Sequence, residues 1–91
     1  MNAAEAERWG LLNLVVPGEE LAERAERVLG QLAANAPLTL QRYKQMATKS
    51  WDLPLHNALR LDVGPNVYRS RDREEGVRAF VEKREPRWEA R

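Results

Sequence analysis

The sequence predicts a mainly α-helical chain with four main helices and at most one short strand, near residues 11–16. Three observations carry this. Apolar residues recur with a 3.6-residue period through long stretches of the chain. Prolines at positions 17, 37, 54, 65 and 86 punctuate those stretches where helices should start, stop or break. Only one apolar run, Leu11 to Val16, is partly β-branched and bounded by glycine and proline.

Taken in order, Ala3 to Trp9 is a short run of good helix formers, with Gly10 placed to end it. Leu11 to Val16 reads as a short strand or an extended buried link. Gly18-Glu19-Glu20 opens the clearest helix, its acids suiting the positive end of the helix dipole. Leu21, Ala22, Ala25, Val28, Leu29, Leu32 and Ala33 keep the helical period, giving a helix near 19–35. Pro37 closes it and fits the first turn of the next, near 38–51, whose apolar stripe is Leu40, Tyr43, Ala47 and Trp51. A third helix is expected near 54–69, buried through Leu55, Ala58, Leu59 and Val63, with a kink or break at Gly64-Pro65. The fourth, near 72–84, stops before Pro86.

Composition narrows the function classes. The chain has 91 residues, which allows one small domain near the lower limit for a stable core. Charged residues make up 32% with a net charge of +1, a balance unlike that of a dedicated nucleic-acid binder. The last segment, Arg69 to Arg91, holds 8 cations, but 6 acids interleave with them, which reads as a solvated face. There is no cysteine, hence no disulfide framework or thiolate site, and a cytoplasmic location fits. No apolar run reaches membrane-spanning length, so no membrane partner is expected. His56 is the only histidine and reads as a surface residue; no metal site is expected.

The most informative stretch is Ser70 to Trp88, SRDREEGVRAFVEKREPRW. Asp72 and Glu75 stand in capping-box spacing. Gly76, Phe80 and Lys83, at i, i+4 and i+7, fall on one helical stripe. A gap, an aromatic and a cation so arranged suit something flat and anionic. Gly76 costs on the order of 1 kcal/mol in a helix relative to alanine, so a helix or a ligand is expected to approach it closely. Trp9, Trp51 and Trp88 read as packing anchors, with Trp88 pinning the tail.

That stretch resembles the C-terminal signature of the enoyl-CoA hydratase/isomerase (crotonase) family, roughly S-x-D-x-x-E-G-x-x-A-F-x-E-K-R-x-P-x-F/W. Ser70, Asp72, Glu75, Gly76, Ala79, Phe80, Glu82, Lys83, Arg84, Pro86 and Trp88 match it. Glu5-Ala6 followed by Trp9 through Pro17 is similar to the family's EA-x-x-x-GLVN-x-VVP stretch. Glu20-Leu21, Asn35-Ala36-Pro37 and Lys44 fall in the expected order between them.

The resemblance implies that residues 1–91 form a single C-terminal helical region, beginning just after an N-terminal ββα-spiral core that the chain lacks. In the family that core supplies the oxyanion-stabilising N–H groups and the carboxylates for proton transfer. No catalytic residue is therefore assigned here, and the stretch alone is expected to be inactive. The resemblance places Phe80 and Lys83 near the adenine and 3′-phosphate of coenzyme A, an aromatic face for a purine and an ammonium for a phosphate. The implied parent hydrates or isomerises an enoyl-CoA thioester, binds no covalent cofactor, and assembles as a trimer or hexamer through its helical end. The competing readings are a stand-alone helical protein–protein interaction module and, more remotely, a nucleic-acid-binding helical domain.

Overall fold

The computed structural model describes residues 1–91 and is all-helical, without strands. Five α-helices follow one another: α1 Ala3–Arg8, α2 Leu21–Ala33, α3 Pro37–Ser50, α4 Leu55–Ala58 and α5 Arg71–Glu82. Single 3-10 turns at Gly18–Glu20 and Val67–Arg69 lead into α2 and α5. The chain divides into two compact units, Met1–Leu32 and Ala33–Arg91.

In the first unit, α1 is short because both its ends are capped locally. Asn2 Oδ1 accepts from the Glu5 N–H while Glu5 Oε2 accepts from the Asn2 N–H, each at 2.9 Å. Beyond Gly10 the Leu11 N–H returns to the Ala6 carbonyl at 2.9 Å and closes the helix. Residues 11–17 form no strand. They run as an irregular link, tied at Val15, whose N–H donates to Glu7 Oε1 at 3.0 Å. The helix expected near 19–35 begins as the 3-10 turn and becomes α-helical only at Leu21; Arg27 pairs with Glu23 at 2.8 Å on its surface.

In the second unit, Pro37 occupies the first turn of α3, where its missing N–H costs nothing. The largest departure from expectation follows. The third helix does not run from 54 to 69; it is the single turn α4. The break foreseen at Gly64-Pro65 consumes most of it. Gly64 has φ +83°, and a β-carbon there would stand 3.1 Å from the Arg42 Cα, so the loop lies directly on α3. Arg42 reaches across from α3 to the Pro65 carbonyl at 3.2 Å and to the Asp62 carboxylate. The backbone of 59–66 is thus fixed by a glycine turn and an arginine clasp, and Leu55 and Leu59 are exposed.

Little of the chain is buried. Ala6 and Ala79 are the buried apolar residues, and Ser70 and Asp72 the buried polar ones. Trp9 and Trp51, expected as anchors, are 74% and 87% exposed. A tryptophan anchors only where another surface covers it, and these two rings are left mostly uncovered. No helix is long and apolar enough to cross a membrane.

Candidate functional site

The site is built by α5 and the tail that folds back along it. Ser70, not Asp72, caps the helix: its Oγ accepts from the Arg73 N–H at 3.1 Å and donates to the Val67 carbonyl at 2.7 Å. The capping-box reading of Asp72 and Glu75 is therefore corrected. Asp72 is 3% exposed and faces the tail, accepting from the Glu89 N–H at 2.7 Å and the Ala90 N–H at 3.1 Å. In return the Arg71 N–H donates to the Arg91 carbonyl at 2.7 Å.

Glu75 holds the middle of the same seam. Arg84 grips it with two guanidinium nitrogens at 2.6 and 3.0 Å, and the Arg87 N–H donates to it at 2.8 Å. The hydrogen bonds from Arg84, and next that from Arg87, hold its carboxyl down to about 2, from an ordinary value near 4.5. Arg84 is shifted further up in return, by its bonds to Glu75 and then Glu82. Glu89 is likewise lowered, mainly by the hydrogen bond from Arg91.

Gly76 does meet a close neighbour, but the neighbour is Trp88 of the same chain. A β-carbon at 76 would stand 3.3 Å from Cη2 and 3.4 Å from Cζ3 of that ring. The indole N–H donates to the Ala34 carbonyl at 2.8 Å, so Trp88 pins the tail as its position predicts. Ala79 is buried at 2% on the same side.

The stripe of Gly76, Phe80 and Lys83 is consequently split. Gly76 lies under Trp88. Phe80 is 86% exposed, flanked by exposed Val77 and Val81. Lys83 lies one residue past the helix, in the left-handed conformation with φ 52° and ψ 44°, and is exposed. No acid pairs with its ammonium. Sequence reasoning missed that Asp72, Glu75 and Arg84 form one lock, because their partners lie 9 to 18 residues away.

Chemically this surface suits binding. A general base works best with a pKa near the working pH, and Glu75, held near 2 and gripped by Arg84, is far from it. Asp72 has its oxygens committed to backbone N–H groups. His56 is exposed on α4, and no group of three acidic or histidine side chains is arranged for a metal ion.

The chain matches known proteins along its whole length. The family model described as enoyl-CoA hydratase/isomerase matches residues 1–91. Carnitinyl-CoA dehydratases from Salmonella typhimurium and Escherichia coli are each 38% identical over 97 residues. The match takes in 100% of this chain and 37% of each of them, so the chain spans little more than a third of these relatives. Among solved structures, an enoyl-CoA hydratase from Bacillus anthracis superposes with a TM-score of 0.89 at 30% identity, over 98% of this chain and 35% of that one. An enoyl-CoA hydratase/isomerase from Mycobacterium paratuberculosis gives 0.86 at 35% identity, over 100% and 37%.

Proposed function

Because the chain belongs to the enoyl-CoA hydratase/isomerase family, we propose that it acts as the C-terminal region of a longer enzyme of that family, completing the coenzyme A pocket and contributing to contacts between subunits. The parent reaction in this reading is hydration or isomerisation of an enoyl-CoA thioester, in a trimer or hexamer. The chemistry belongs to residues outside these 91, and the chain alone turns over no crotonyl-CoA.

The observation that carries the reading is the outer side of α5. The tail locks one side of the helix and leaves Phe80, 86% exposed, one turn before the unpaired Lys83. An uncovered aromatic ring followed three residues later by an unpaired lysine suits a purine carrying a phosphate. The contact role is supported by the other exposed apolar residues, among them Leu21, Leu29, Tyr43 and Leu59 at 62–77%. Each unit thus leaves large apolar side chains uncovered, Leu21 and Leu29 in one and Tyr43 and Leu59 in the other, and burying them against further surface would be favourable.

The test is titration of the isotope-labelled chain with millimolar coenzyme A, read at the backbone amides. Shifts centred on Phe80, Val81 and Lys83 are expected. Absence of any shift there, together with self-association in sedimentation, would replace this reading with that of a stand-alone interaction module.

A further inference from the structure

Apart from glycines, only Lys83 and Ala90 have a positive φ. At a helix C-terminus the left-handed position is normally taken by glycine or asparagine, which avoid crowding between the β-carbon and the backbone. A lysine there runs against that preference. Residues in sparsely populated backbone regions persist where their surroundings over-determine them, and they gather at ligand clamps.

The surroundings that do so here are on one arginine. The Arg84 N–H donates to the Ala79 carbonyl at 3.0 Å and the Lys83 N–H to the Phe80 carbonyl at 3.3 Å, which closes the turn. The Arg84 guanidinium then ties both flanks of that turn. Its Nε donates to Glu82 at 2.6 Å and its Nη1 to the Glu85 carbonyl at 3.1 Å, while Nη1 and Nη2 together hold Glu75. Glu75 is itself fixed, since it also accepts from the Arg87 N–H and its side chain is 15% exposed.

We infer that Glu75 and Arg84 are positioning residues for Lys83: they hold the left-handed turn that sets where its ammonium stands relative to Phe80, and so tune recognition of a ligand phosphate they do not touch. This rests on the reading of Phe80 and Lys83 as a coenzyme A contact and extends it to the seam behind them. Without the clamp, Lys83 relaxes to the right-handed region and its side chain leaves from a different direction.

The experiment compares coenzyme A with 3′-dephospho-coenzyme A by amide titration of the labelled full chain. Wild type should prefer coenzyme A by about two- to fivefold, the scale of one exposed ion pair. Glu75→Gln should bring that ratio close to one, leave affinity for the dephospho form unchanged, and move the Lys83 Cα shift out of the left-handed range. The sign is decisive. Removing a carboxylate makes the locality more positive, so a purely electrostatic role would raise the preference and a positioning role lowers it. A ratio that is unchanged or raised, with α5 intact, overturns the inference. If Glu75→Gln melts α5, Arg84→Lys keeps the charge and loses the fork; a lowered ratio then supports positioning and an unchanged one overturns it. A wild-type chain that binds coenzyme A at Phe80 without preferring the 3′-phosphate overturns the role of Lys83, and this inference with it. A chain that does not bind at all overturns the proposed function.

Discussion

The ring of Trp88 lies on Gly76 so closely that a β-carbon at that position would stand 3.3 Å from Cη2. The glycine lowers the helix propensity of α5 and leaves the seat in which the ring rests, beside the hydrogen bonds that hold the tail at Asp72 and Glu75. Two effects oppose each other on substitution. Alanine gains about 1 kcal/mol of helix propensity, while its methyl presses a ring anchored through its N–H to Ala34.

Gly76→Ala is therefore expected to change the stability of the tail by less than about 0.5 kcal/mol, the ring giving way by a few tenths of an ångström. Gly76→Val overfills the seat and should cost about 1–3 kcal/mol. Hydrogen exchange at the Glu89 and Ala90 amides measures both, and Trp88 emission in a Trp9→Phe, Trp51→Phe background should shift red only for valine.

Asp72→Asn keeps the shape of a buried side chain but turns one acceptor into a donor facing an N–H. The Glu89 and Ala90 amides currently share its two oxygens. Their opening free energy should fall by about 1–3 kcal/mol, while exchange within α1 is unchanged. Equal acceleration in both units would contradict a lock confined to α5.

Glu75 predicts the acid limb of the stability profile. Its folded value, about 2, lies below its ordinary value near 4.5. Its contribution is thus fully present above pH 4.5 and is lost as pH falls toward 2. Glu89, also lowered, acts in the same direction. Circular dichroism of α5 between pH 7 and pH 2 should show a steeper loss for wild type than for Glu75→Gln across that window.

Lys83→Gly removes the ammonium but fills the left-handed position with the residue it favours. Relief of the roughly 1–2 kcal/mol cost of that conformation, less the added freedom of the unfolded chain, should stabilise the C-terminal turn of α5 by about 0.5–1 kcal/mol. Slower exchange of the Arg84 amide is the measurement. A destabilised turn would mean the lysine stem packs there.

The helical class, α2, α3 and α5, and the tail-pinning of Trp88 were all legible in the periodicity and the punctuation. What failed has a common cause. The apolar stripe of Leu55, Leu59 and Val63 reports a face and not its partner, and with Gly64 at φ +83° and Arg42 clasping Asp62 the chain spends residues 59–66 as a loop. Asp72 and Glu75 fit a local capping pattern, yet their real partners follow a reversal of the chain that local spacing does not encode. Trp9 and Trp51 carry the composition of a core without the second surface that would make one.

That only Ala6 and Ala79 are buried apolar residues also sets how this chain answers to heat and denaturant. Many large side chains are already partly hydrated, so unfolding uncovers less new apolar surface than it would from a closed core. The heat capacity change and the denaturant m-value, both proportional to that surface, should fall well below those usual for 91 residues. Its melting curve should be broad and shallow, each helix yielding near its own midpoint, and should sharpen into a single transition only when another surface covers Phe80, Trp51 and the leucines of α2.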